Sequence, residues 1–182
     1  MFREPNFFHE TQIGADDFIV NDLLGAPVYS SGADDAQEIG KVNDLIITPG
    51  TQGALFLAVG ATVTRGDKVA IIEPDYYANR KLIHFFQGEL YPVKLDYLNS
   101  NEKAGIDLEQ LEEAFKNGVS TFIFSNPNNP SGAVYNKEEI TEIGNLAKEY
   151  DVNVIVDELY SRQLFDDRDF THLGSLDIVP EE

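Results

Sequence analysis

Short, largely apolar runs alternate along this chain with stretches of helical periodicity, and that alternation most restricts the folds open to it. The runs are Leu45–Ile47, Val69–Ile72, Leu90–Leu95, Thr121–Phe124 and Val152–Val156. Each has the length and the β-branched or aromatic content of a strand. The segments between them are long enough for crossover helices, which parallel neighbours need and antiparallel ones do not. The expected class is therefore α/β, a mostly parallel sheet with helical crossovers.

The helices carry their own signals. Asp107 is placed to cap a helix with Gln110 at its third position, Ile106 and Leu111 as a hydrophobic staple, and Asn117-Gly118 as the stop. Asn136 opens another, with Glu139 third and Ile140, Ile143, Leu146, Ala147 and Tyr150 on one face that should lie on the sheet. Gly53–Thr64 is apolar almost all round, which predicts a helix buried between the sheet and another layer. Ahead of it the pattern weakens: Asp16–Leu24 is a helix candidate broken by Gly25-Ala26-Pro27, and Ser30–Asp35 reads as a loop. Residues 1–44 are taken as an N-terminal arm or linker, and 45–182 as the folded domain.

With 182 residues and 42% hydrophobic content, the chain can bury one full core. Its 32 acidic against 13 basic residues give a net charge of -19, which repels phosphate backbones and anionic lipid surfaces. Neither nucleic acid nor a membrane is an expected partner. No cysteine is present, so disulfides and thiolate metal sites are excluded and a reducing cytoplasm is the expected location. The N-terminus shows no cationic segment followed by an apolar one, and no run has membrane-spanning length.

Chemistry gathers where the strands end, which is where open α/β sheets place their ligands. Pro49-Gly50-Thr51-Gln52-Gly53 lies between a strand and a helix, and is either a phosphate seat or a plain turn. Glu73-Pro74-Asp75-Tyr76-Tyr77 offers two aromatics for stacking on a flat ligand or for packing. Ser125-Asn126-Pro127-Asn128-Asn129-Pro130-Ser131-Gly132 is a stiff polar turn whose Asn129 could bind a ring oxygen or satisfy its own backbone. Asp157-Glu158-Leu159-Tyr160 ends the last run. A carboxylate there is costly unless it ligates a cation, caps a helix or faces a protonated heterocycle.

Taken together and in this order, the four motifs resemble those of the fold type I pyridoxal-phosphate-dependent enzymes, specifically the class I and II aminotransferases similar to aspartate aminotransferase. The resemblance spans about Asp44 to Tyr160. It implies that residues 45–182 are part of the cofactor-binding large domain, that pyridoxal 5'-phosphate is the cofactor, and that an amino acid and a 2-oxo acid are the substrates of a homodimeric enzyme. Gly50, Thr51 and Gln52 match the family's phosphate seat, and Tyr76 the aromatic that stacks on the pyridine ring. Asn129 and Tyr160 match the pair that bonds the ring's phenolic oxygen. Asp157 matches the aspartate paired with the pyridine nitrogen, where its charge favours the protonated ring.

Several family features have no match. The lysine that holds the cofactor covalently lies beyond the aspartate in the family, whereas the last lysine here is Lys148 and none follows it. The arginine for the substrate's α-carboxylate is not matched either, nor is the family's glycine-and-arginine pattern in the arm, and Tyr77 stands where proline is common. The chain is expected to be the N-terminal part of such an enzyme, with no catalytic residue of its own and no turnover by itself. A lyase, decarboxylase or synthase of the same fold, or a non-catalytic binding protein, is the alternative.

Overall fold

The structure, a computed structural model, describes residues 27–29, 38–41, 46, 48–98, 103–165 and 168–176. The chain divides into two units, Met1–Ile47 and Thr48–Glu182. In the first, β1 (Pro27–Tyr29) and β2 (Glu38–Lys41) pair antiparallel, with a register shift between Val28 and Tyr29. Pro27, expected to break a helix, instead opens a strand. The candidate helix Asp16–Leu24 and the loop Ser30–Asp35 lie outside the described residues.

The second unit is a four-stranded, wholly parallel sheet of β3 (Lys68–Glu73), β4 (Glu89–Lys94), β5 (Val119–Ser125) and β6 (Asn153–Asp157), in the order β4-β3-β5-β6. The α/β class is as the sequence led us to expect. Inner strands need apolar residues on both faces, and β3 and β5 supply them as the buried runs Val69–Ile72 and Thr121–Phe124. Of the five expected strands four form; the fifth, Leu45–Ile47, lies outside the described residues except for Ile46, which is 67% exposed.

Four helices clothe this sheet: α1 (Thr51–Thr62), α2 (Tyr77–Phe85), α3 (Leu108–Lys116) and α4 (Lys137–Tyr150). One face holds Leu55, Val59, Leu82 and Ile83 of α1 and α2 against Val69, Ile71 and Ile123. The other holds Leu111 and Phe115 of α3, with Ile140, Ile143 and Leu146 of α4, against Ala70, Ile72, Phe122 and Phe124. β4 and β5 flank β3 on opposite sides, so the winding reverses between them. Right-handed crossovers then put α2 on one face and α3 and α4 on the other.

The caps of α3 and α4 form as their sequences indicate. Asp107 accepts the Gln110 amide at 2.9 Å, and Asn136 and Glu139 make a reciprocal capping box. α2 starts without a side-chain cap inside the Pro74–Tyr77 motif, and nothing in its sequence announced it. α1 departs from expectation in a different way. Only Leu55 and Val59 within it are buried, while Phe56 and Leu57 are 43% and 47% exposed. The expected second layer over α1 is not found among the described residues; its outer side meets only the rings of Phe85 and Phe86, 5.8 and 5.2 Å from that of Phe56. No described helix is long and apolar enough to cross a membrane.

Candidate functional site

The reversal between β3 and β5 opens a crevice at the carboxyl ends of the strands. Three of the four motifs arrive there by chain continuation: Pro74-Asp75-Tyr76 from β3, the proline turn from β5, and Asp157 at the tip of β6. Ser125 and Asp157 are ladder partners, and the Asn126 amide donates to the Asp157 carbonyl at 2.9 Å. The fourth motif comes by reversal. A short connection after α1 turns the chain into β3, and the Thr62 carbonyl at the C-terminus of α1 lies 3.4 Å from the Thr121 hydroxyl near the start of β5. The N-terminus of α1 therefore points to the strands' carboxyl ends.

That N-terminus is open. Gly50 stands at the cap with φ of 78°, a left-handed geometry that a side chain would strain, and no side chain caps the helix. The Gly50 carbonyl accepts from the Thr48 hydroxyl at 2.8 Å and from the amides of Gly53 and Ala54. The amides of Thr51 and Gln52 make no hydrogen bond among the described residues. Such N–H groups, with the positive end of the helix dipole behind them, suit an anion.

The proline turn is organised by two asparagines that nothing in the local sequence marks out. Buried Asn128 accepts from the Ser131 hydroxyl at 2.5 Å and the Ser131 amide at 3.2 Å, and donates to the Pro74 carbonyl at 3.1 Å. Buried Asn126 accepts the Tyr135 amide at 3.2 Å. With these two tying the turn to β3 and to its own far side, the Asn129 amide N–H rests on the Ser125 hydroxyl at 3.1 Å. Its side chain makes no hydrogen bond among the described residues, so it is left for something else.

Acid groups crowd this crevice. Asp157 is 9% exposed and accepts the Leu159 amide at 3.1 Å. Burial raises its pKa, and the charge of Glu158 adds to that. Asp75 accepts the Ser125 hydroxyl and the Tyr76 amide, each at 2.6 Å, yet burial still pushes its carboxyl up to about 6, with the charge of Asp157 contributing. The Tyr76 phenol is raised too, first by a hydrogen bond with Tyr77, then by burial and the charges of Tyr77, Tyr160 and Asp157. Tyr76, Tyr160 and Asp157 thus lie within electrostatic reach of one another. Glu158 faces outward to His172, whose Nδ1 is 2.6 Å from its carboxylate, and that hydrogen bond lifts the imidazole above its ordinary pKa.

A cavity of about 470 Å³ opens between the turn Pro127–Val134, the residues Tyr160, Gln163, Phe165 and Arg168, and Tyr97 with Lys103. Of the residues singled out in the sequence it contains Asn129 and Tyr160. Asp157, Tyr76 and the Gly50-Thr51-Gln52 turn do not line it; they stand on the strand-end surface, to which Tyr160 is the link. The class these features define is an open, parallel α/β sheet with helices on both faces and polar groups gathered at the carboxyl ends of its strands, where such sheets take their ligands.

Residues 29–180 match the family model of aminotransferase class I and II, and the chain belongs to that family. It is similar to an aspartate aminotransferase from Rhodobacter sphaeroides of known structure, 60% identical with a TM-score of 0.72, over 74% of this chain and 35% of that one. It is 30% identical to the probable aspartate aminotransferase of Methanocaldococcus jannaschii, over 74% of this chain and 35% of the relative. A third likeness is to cystalysin from Treponema denticola, whose structure contains pyridoxal 5'-phosphate, at 27% identity and a TM-score of 0.65, over 71% of this chain and 33% of that one. The chain spans about a third of the length of the curated relatives it matches.

Proposed function

We propose that this chain forms the cofactor-binding portion of an amino-acid aminotransferase, which transfers an amino group to a 2-oxo acid by means of pyridoxal 5'-phosphate. One observation carries the reading: a buried carboxylate, Asp157, ends β6 in the same crevice that receives Tyr76, Tyr160 and the open N-terminus of α1. The residues suit the group. The unbonded amides of Thr51 and Gln52, beside Gly50, bind the phosphate, and the Thr51 hydroxyl adds a donor. Tyr76 stacks on the ring. Asn129, its side-chain amide without a partner among the described residues, and Tyr160, lining the same cavity, would bind the ring oxygen. Asp157 holds the proton on the ring nitrogen, because a buried carboxylate without a cation is stabilised by a positive partner.

When bound, the cofactor supplies an electron sink for the substrate's Cα. The chain's residues orient that sink and keep its ring charged. The same reading makes the working enzyme a cytoplasmic homodimer with an amino acid and a 2-oxo acid as substrates. Absence of cysteine accords with that compartment.

A second reading, a carbon–sulfur lyase of the same fold, is favoured by the likeness to the C–S lyase from Staphylococcus hominis, 25% identical with a TM-score of 0.55. Formation of pyruvate and ammonia from cysteine conjugates without any 2-oxo acid, by the enzyme containing this domain, would decide for it. For the cofactor site itself, equilibrium dialysis of the chain against pyridoxal phosphate is the direct test. Asp157→Ala should weaken binding about tenfold or more, the scale of one lost charge-assisted hydrogen bond. Binding as tight as that of the unaltered chain would sink the assignment of Asp157.

A further inference from the structure

Asp75 has no part in the function proposed so far, yet the structure gives it an unusual setting. It directly precedes Tyr76 and spans the crevice from β3 to β5. Its Oδ1 takes the Ser125 hydroxyl and the Tyr76 amide, both at 2.6 Å, and Ser125 is the ladder partner of Asp157. Two carboxyls are thus held at the tips of the sheet, one anchored on the very residue opposite the other.

Its second oxygen is the informative one. Oδ2 is buried and has no hydrogen-bond partner, and the Tyr135 hydroxyl, within reach of the Asp75 charge, is likewise buried and unbonded. A strap between β3 and β5 needs a single acceptor, which a neutral asparagine would provide without burying charge. The groups that face Asp75 are Asp157 on β6 and the Tyr135 phenol behind the turn, which itself responds to the charge of Asp75. No cation among the described residues offsets them. A carboxyl so placed is neutral or anionic according to small changes around it.

We propose that Asp75 is a positioning residue of the cofactor site: it ties the end of β3 to Ser125, and as a second carboxyl beside Asp157 it makes the hold on a protonated ring nitrogen depend on its own ionisation. The proposal rests on the pairing of Asp157 with that nitrogen. With Asp75 neutral, one negative charge faces the ring; with Asp75 ionised, two do, and the cationic ring is bound more tightly. The carboxyl's rise to about 6 sets the pH range in which this occurs.

The experiment is a pH series of pyridoxal phosphate dissociation constants, by equilibrium dialysis from pH 5 to pH 8, for the unaltered chain, Asp75→Asn, Ser125→Ala and Asp157→Ala. Taking the ratio of the unaltered chain to Asp75→Asn cancels the titration of the cofactor's own phosphate. That ratio should move about three- to tenfold in favour of the unaltered chain as pH rises through about 6, the effect of up to one unit of pKa coupling. Ser125→Ala, which removes a hydrogen bond that holds the Asp75 carboxyl down, should move the step to higher pH. Parallel profiles for the chain and Asp75→Asn would overturn the proposal and leave Asp75 a strap. If Asp75→Asn does not fold, the ratio of the unaltered chain to Ser125→Ala takes its place, and a ratio constant from pH 5 to pH 8 overturns the proposal equally. Should Asp157→Ala bind as well as the unaltered chain, the pairing of Asp157 fails and this inference with it, whereas a weakened Asp157→Ala with parallel profiles refutes the role of Asp75 alone.

Discussion

Asp75 in one strand-end motif and Asn128 in another hold the site together, whereas their neighbours Tyr76 and Asn129 are left to face a ligand. The Asp75 carboxyl is raised from 3.8 to about 6 in the fold. The folded state thus binds its proton more tightly than the unfolded chain, and stability must fall as pH rises from about 4 to about 6, then level off. Two units correspond to about 3 kcal/mol. Asp75→Asn should accordingly be more stable than the unaltered chain at pH 7 by up to that amount, and little changed near pH 4, in urea denaturation at the two pH values. A uniform effect at both would mean the carboxyl is not titrating there.

Asn128 and Asn129 should separate in the opposite sense. Asn128 is buried and bonded to Ser131 and Pro74, so Asn128→Ala leaves several groups unsatisfied and should cost about 2–4 kcal/mol. Asn129→Ala removes a side chain with no protein partner among the described residues, and should change stability by less than about 0.5 kcal/mol while weakening cofactor binding. Melting curves beside dialysis measure both. From sequence alone Asn129 could be singled out and Asn126 and Asn128 could not, because their partners, Tyr135 and Pro74, lie 9 and 54 residues away.

At the scale of elements, caps were legible and coverage was not. Asp107 and Asn136 act on amides three residues on, so local sequence contains both partners. Glu139 does more than its capping-box role announces. Its buried carboxylate also accepts the amides of Ala104 and Gly105, each at 2.8 Å, and so pins the connection before α3 to the start of α4. Glu139→Ala should cost about 3 kcal/mol, beyond the roughly 1 kcal/mol of a cap alone, and should expose the segment near residue 104 to proteolysis. A loss limited to the cap value would show that the long-range bonds contribute nothing. α1 reads as buried all round because composition reports how apolar a helix is, not how many neighbours surround it. The β1–β2 pair escaped notice because strands of three and four residues leave too little periodicity to recognise.

Across the whole molecule, like-charge repulsion outweighs the ion pairs. A net charge of -19 repels itself in the compact state. The ion pairs Arg80–Glu73, Lys116–Glu112 and His172–Glu158 join largely solvent-facing groups, and pairs of that kind contribute little. Added salt should relieve more repulsion than attraction. Raising sodium chloride from 0.02 to 0.5 M shortens the screening length from about 20 Å to about 4 Å, and the melting temperature should rise by a few degrees. A fall would show that the ion pairs outweigh the repulsion.

By itself the sequence determined the parallel α/β class, the capped helices and the three polar strand ends, because each depends on residues adjacent or within a turn of one another. Only the tertiary structure decided that winding reverses between β3 and β5, bringing Gly50, Tyr76, Asn129 and Asp157 from four segments to one end of the sheet. It also decided that Asp75 meets Ser125, 50 residues away, beside Asp157. Burial and charge coupling are properties of neighbours in space, and a carboxyl's ionisation is written in them, not in the residue's own name.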